Sequence, residues 1–345
     1  MPLPPAGPPL RPSDRNDRIV GTSALVLVLL ITVTTLWFSR GDAAEPAPPP
    51  VAPAPAPTVT APNVASAGDR DPITLITDEP TCPDWEPINT ALATALSNGW
   101  QQRDPSVPAT EWTVEQRDTY RAVADAMRAA ADKTVPLAKA TPHRVMRELY
   151  GQAIAYWRGY ADSIDAYRPG ADHLARAAGN AAEAVNAVCA AVDFGAAESR
   201  SALVLPGPAP VPDLPLGDPS TPAKYIAGPS AFCAEWMATV AQYADATRAW
   251  RERHNPAVPA SSWSPEQRAL ADATAATMQQ NADRTELLGL LSGNLVAADF
   301  AALASHYRRA FAVSLPDYAL PDSHLDNAAL RLQALTNQAC HAVQQ

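Results

Sequence analysis

Few residues of this 345-residue chain could do specific chemistry: four cysteines, six histidines and eight tryptophans. The cysteines stand far apart. Cys82 and Cys189 are separated by 107 positions, and so are Cys233 and Cys340. That spacing excludes a CxxC redox site and a zinc ribbon and leaves disulfide chemistry. Among the histidines only His173 and His324 have matching contexts. Each opens a predicted helix beside an acid, Asp172 in one case and Asp322 and Asp326 in the other. A proton relay or a metal site would need second and third ligands at helical spacing, which the sequence does not supply. Both read as surface histidines.

Paired carboxylates fare no better. Glu115 and Asp132 lie on one predicted helix, about 25 Å apart, whereas glycosidase acids sit about 5–9.5 Å apart. Glu115, Asp132, Arg117 and Arg268 therefore read as helix-start and salt-bridge residues. The motifs GxSxG, HExxH, GxGxxG and GxxxxGK[ST] do not occur. The expectation is a chain with no catalytic set, no metal and no cofactor. The tryptophans leave a choice. Trp85 and Trp236 follow the first cysteine of each pair by three positions, and Trp112 and Trp263 precede a helix start as a hydrophobic staple would. Core packing is the expected role of all four, and the alternative is an aromatic lip for a glycan, lipid or protein partner.

The elements that would position these residues come in two copies. A shift of 151 residues superposes the cysteine pairs and Trp85 on Trp236. It also superposes the run Pro105, Val107, Pro108, Ala109, Trp112, Glu115, Gln116, Arg117 on Pro256, Val258, Pro259, Ala260, Trp263, Glu266, Gln267, Arg268. Each copy reads as four helices. Thr113-Val114-Glu115-Gln116 and Ser264-Pro265-Glu266-Gln267 are capping boxes opening the second. The third helices are expected near 142–167 (Thr141 as cap) and 294–314, and the fourth near 172–192 and 322–343. Alanines such as Ala177, Ala178, Ala181 and Ala184 recur at helical spacing and allow close packing.

With four helices running up-down-up-down, the chain leaves a bundle at the end where it entered. Cys82 is thereby brought to Cys189, and Cys233 to Cys340. Such bonds persist in an oxidising compartment, which agrees with the N-terminal region. Ile19 to Phe38 form twenty uncharged, mostly apolar positions, about 30 Å of helix. Arg11, Arg15 and Arg18 precede the segment, and only Arg40 follows closely. The basic excess predicts a cytoplasmic N-terminus and an extracytoplasmic remainder at the plasma membrane. Cleavage as a signal peptide is disfavoured, since Asp42 stands at the −3 position of the nearest small-residue site.

The expected layout is an all-α chain: a disordered tail (1–18, with the polyproline-type Pro9-Leu10-Arg11-Pro12), a transmembrane helix (19–38), an Ala/Pro linker (39–80), a first helical bundle (81–193), a Pro-rich linker (194–229) and a second bundle (230–345). Both linkers read as semi-rigid spacers, though Leu203, Val204, Leu205, Tyr225 and Ile226 are apolar enough to pack on a bundle. A net charge of −10 argues against nucleic-acid and anionic-lipid partners.

The PxVPAxxWxxEQR stretch, the alanine-rich helices and the Ala/Pro linker after one span resemble a group of actinobacterial envelope proteins, exported or single-pass. The resemblance implies location and carries no catalytic residues. Three readings follow. The preferred one is a non-catalytic interaction or scaffold module tethered to the membrane, facing an unidentified envelope protein or lipid. The second is a carrier of a lipid or small apolar ligand in a bundle cavity, and the last an envelope hydrolase.

Overall fold

The structure is a computed structural model that describes residues 63–207 and 216–344. The expected tail, membrane segment and first part of the linker, residues 1–62, lie outside the described residues. No helix among the described residues is long and apolar enough to cross a membrane.

The described residues form helices and short 3-10 turns. The N-terminal half contributes α1 (Cys82–Ser97), α2 (Val114–Ala140), α3 (Arg144–Ser163), α4 (Asp172–Asp193) and the short α5 (Ala196–Ser201). The C-terminal half contributes α6 (Ala231–Ala246), α7 (Arg248–Arg253), α8 (Pro265–Leu291), α9 (Leu295–Ser314) and α10 (Ser323–Ala342). α2 and α8 open with the expected capping boxes. Gln116 N–H donates to Thr113 Oγ1 and Gln267 N–H to Ser264 Oγ, both at 3.2 Å, and each glutamine Oε1 accepts from the cap's own N–H. Two otherwise orphaned amides are satisfied at each start.

One expected start is corrected. Thr141 does not cap the third helix, because α3 begins at Arg144 after His143. The Thr141 hydroxyl is drawn to the buried Glu79, donating to Oε2 at 2.7 Å, while Thr81 donates to Oε1 at 2.6 Å. A buried carboxylate needs those donors more than a solvated helix end does.

Positions 151 residues apart make matching contacts. Ala109 N–H donates to Tyr167 O at 3.0 Å and Ala260 N–H to Tyr318 O at 2.9 Å. The Tyr167 hydroxyl donates to Pro105 O and the Tyr318 hydroxyl to Pro256 O, at 2.9 and 2.8 Å. Arg158 pairs with Asp132 at 2.7 Å, and Arg309 with Asp283 at 2.8 Å.

The two halves share one continuous core. Their most extensive helix packing is between the halves, α4 against α10. The small faces of Ala177, Ala178, Ala181, Ala328 and Ala329 are all fully buried and let the two backbones approach closely. The helices run antiparallel, since His173 at the start of α4 meets Gln338 and His341 near the end of α10, while His324 at the start of α10 stacks on Phe194 just past α4.

The described parts of both linkers pack onto this body. Ile73, Leu75 and Ile76 are buried, and the backbone at Ile76 lies against Tyr307 of α9. Tyr225 packs edge-on to Tyr156 of α3, its N–H donates to Gln152 Oε1 at 3.1 Å, and Arg158 reaches Ser220 O at 2.6 Å. The segment leading into each half therefore lies across the third helix of the other half. Gly207 closes this crossing. Its N–H donates to Ile73 O at 3.0 Å, and a Cβ there would meet the His306 ring at 2.9 Å.

Candidate functional site

Both expected disulfides are present, Cys82–Cys189 and Cys233–Cys340, each spanning 107 positions. The four singled-out tryptophans are buried. Trp112 stacks on Tyr120 and donates to Val107 O at 2.9 Å, and Trp263 stacks on Tyr318 and donates to Val258 O at 2.9 Å. Trp85 donates to Asn186 Oδ1 and Trp236 to Gln333 O. Trp263 also borders a small cleft beside Trp250 and His254. Arg117 donates to Ala109 O at 2.9 Å, which fixes the turn before α2, whereas the Arg268 side chain is exposed.

His173 and His324 sit at the seam between the halves. His173 Nδ1 lies 2.7 Å from Gln338 Oε1, and its ring stacks on His341. His324 stacks on Phe194 instead, and burial lowers its pKa. Because α4 and α10 are antiparallel, the two sites lie at opposite ends of helices about 30 Å long. They cannot act on one ligand.

A charged cluster occupies the same seam further in. Arg144, only 1% exposed, donates through Nε to Asp299 Oδ2 at 2.6 Å and through Nη1 to Asp69 O at 3.1 Å. Glu148 and Asp299, themselves 151 positions apart, face each other across the halves. Burial pushes the Glu148 carboxyl well above its ordinary range, and the neighbouring Asp299 raises it further, against the pull of Arg147 and Arg144. A carboxyl that holds its proton more tightly when folded adds stability that is full below its unfolded pKa. That stability declines as pH rises from about 4.3 towards the folded value. Glu148→Gln keeps the shape without the proton equilibrium. The variant should match the native protein near pH 4, exceed it in urea midpoint at pH 8, and show a flatter pH slope between. An unchanged slope would exclude Glu148 as its source.

The C-terminal half contains a second polar constellation, inside its own helices. Arg308 of α9 is fully buried. It donates to Asn281 Oδ1 of α8 and to Gln333 Oε1 of α10, the latter at 3.2 Å, and its guanidinium lies 4.3 Å over the Tyr243 ring of α6. Asp326 acts on the same guanidinium, and burial lifts its carboxyl to about 6 while Arg308 and Arg251 pull it back. Beside this set opens a groove of about 320 Å³ lined by Tyr243, Arg251, Asn327, Arg331, Gln333 and Asn180 among others.

The family model for "Mycobacterial ESX-1 associated protein" matches residues 64–344, nearly all of the described region. The chain belongs to that family. A similar protein is an uncharacterised protein of Mycolicibacterium smegmatis (strain MKD8), 39% identical over 338 residues, covering 98% of this chain and 89% of that protein. No solved structure matches the chain. Of the expected resemblance, the actinobacterial part is met by this mycobacterial family and its uncharacterised relative.

In this ESX-1 associated chain the polar constellation was missed in reading the sequence, although its signal was present. Matching the halves position by position sets Arg308 against Trp157, Asn281 against Ala130, Gln333 against Ala182, Tyr243 against Leu92 and Asp326 against Ala175. The two halves thus differ at all five of these positions.

Proposed function

We propose that the chain is a non-catalytic interaction module of the mycobacterial envelope, working beside the ESX-1 secretion system. Residues 19–38 tether it to the plasma membrane with the N-terminus in the cytoplasm, and two copies of one ancestral segment form its extracytoplasmic body. The observation that carries this reading is the pair of disulfides inside a domain matched along its length by an ESX-1 associated family. Stable structural disulfides belong to an oxidising compartment, and the apolar segment before them supplies the route across the membrane.

One surface suits a protein partner. Leu287, Leu290 and Leu291 at the end of α8 are all exposed, Leu291 by 74%. The corresponding positions of the N-terminal half hold Pro136, Lys139 and Ala140, so this apolar patch is not a by-product of the fold. Exposed clusters of this kind are covered by partners.

The test is a photo-crosslinking residue at Leu290 in the full chain, expressed in mycobacteria with and without ESX-1. Adducts to an ESX-1 component that vanish in the deletion strain support the reading. Adducts to lipid alone, or recovery of the protein in the cytosol with four reduced thiols, would overturn it.

A further inference from the structure

We propose that the C-terminal half binds a carboxylate-bearing ligand at Gln333, in the groove lined by Asn327 and Arg331, with the buried Arg308 guanidinium behind Gln333. The N-terminal half folds with Trp157, Ala130, Ala182, Leu92 and Ala175 at the matching positions, and every one is a buried apolar residue. The helical architecture therefore does not require polar groups there. In the C-terminal half these positions hold Arg308, Asn281, Gln333, Tyr243 and Asp326, and Arg308 contacts or faces all of the other four.

A single polar group in a core is costly, and a fully buried guanidinium without a well-placed carboxylate is costlier still. Four polar groups gathered around one arginine keep such a cost because they do something. Departures from local consistency concentrate at functional sites.

What the set leaves open identifies the ligand. Arg308 Nε and Gln333 Nε2 are buried and have no hydrogen-bond partner among the described residues. Both are donors. Arg308 already gives its two terminal nitrogens to neutral amide oxygens, so its charge is met at hydrogen-bond range by no carboxylate of the set. Gln333 lines the groove, and Arg251 and Arg331 line it too. A donor pair beside a guanidinium whose carboxylate neighbour, Asp326, acts from beyond hydrogen-bond range calls for an acceptor carrying negative charge, and the planar two-oxygen carboxylate suits such donors best. A volume of about 320 Å³ lies within the range of small-ligand sites and admits either a small organic acid or the side chain of an acidic peptide.

The experiment titrates the full-length protein in detergent by calorimetry with succinate and, separately, with a capped glutamate tripeptide, each to about 10 mM. Saturable heat from either supports the site, and the stronger of the two identifies free acid or peptide as the source. Gln333→Glu supplies the carboxylate from within. It should raise Tm by about 2–4 °C in ligand-free buffer and weaken binding of the better probe at least about tenfold. No saturable heat from either probe would overturn the proposal. So would a Gln333→Glu variant that binds as the native protein does, or one whose Tm fails to rise.

Discussion

Replacing Cys82 and Cys189 with alanine together should lower the unfolding free energy by about 3–5 kcal/mol, and removing Cys233 and Cys340 should cost a similar amount. Each bond closes 107 positions of chain, and the chain-entropy model assigns about 4.7 kcal/mol to a loop of that size. Against a total of about 5–15 kcal/mol for a folded domain, either loss is severe. The shared core adds a second expectation. Since α4 packs on α10 along their lengths, opening one half exposes apolar surface of the other. The variants should therefore unfold in one transition at a lower urea midpoint, and not as one weakened and one intact half. Two resolved transitions would show the halves to be energetically separate. A loss below about 1 kcal/mol would show that the bonds contribute little beyond the packing around them.

Arg144→Ala should be the most damaging single substitution at the seam, at about 3–5 kcal/mol, the usual cost of removing one partner of a buried ion pair. Arg144 lies 2.6 Å from Asp299 and also holds the backbone of Asp69. Without it, Asp299 and Glu148 would face each other with only Arg147 to oppose them. Lysine should rescue poorly, because one ammonium cannot reproduce the separate Nε and Nη1 contacts. Arg144→Met combined with Asp299→Asn should recover much of the loss, since no uncompensated charge remains. A double-mutant cycle from urea melts reads this directly. A double variant no more stable than Arg144→Ala would mean that packing, not charge, sets the cost.

What the sequence disclosed follows from the range of each interaction. The capping boxes at Thr113 and Ser264 are written within four residues, and the cysteine pairing follows from an even helix count. The alanines of α4 announced a close neighbour without naming it, because helical spacing states that a face is buried and not what buries it. For the same reason His173 and His324 read as surface residues, and the partners that shelter them, His341 and Phe194, lie on the facing helix of the opposite half. Thr141 misled for a different reason: its local context favours a helix cap, while Glu79, 62 positions earlier, competes for the same hydroxyl and wins. Arg308 was hidden by the strength of the repeat itself, which directs attention to what is shared.

The reciprocal crossing of the segments ending at Ile76 and Tyr225 has a mechanical corollary. A pull on the amino-terminal side would have to draw Ile73, Leu75 and Ile76 out of the core that both halves share. Load applied there would thus pass into both halves together, and a protease cut between them would leave two fragments still clasped as one particle.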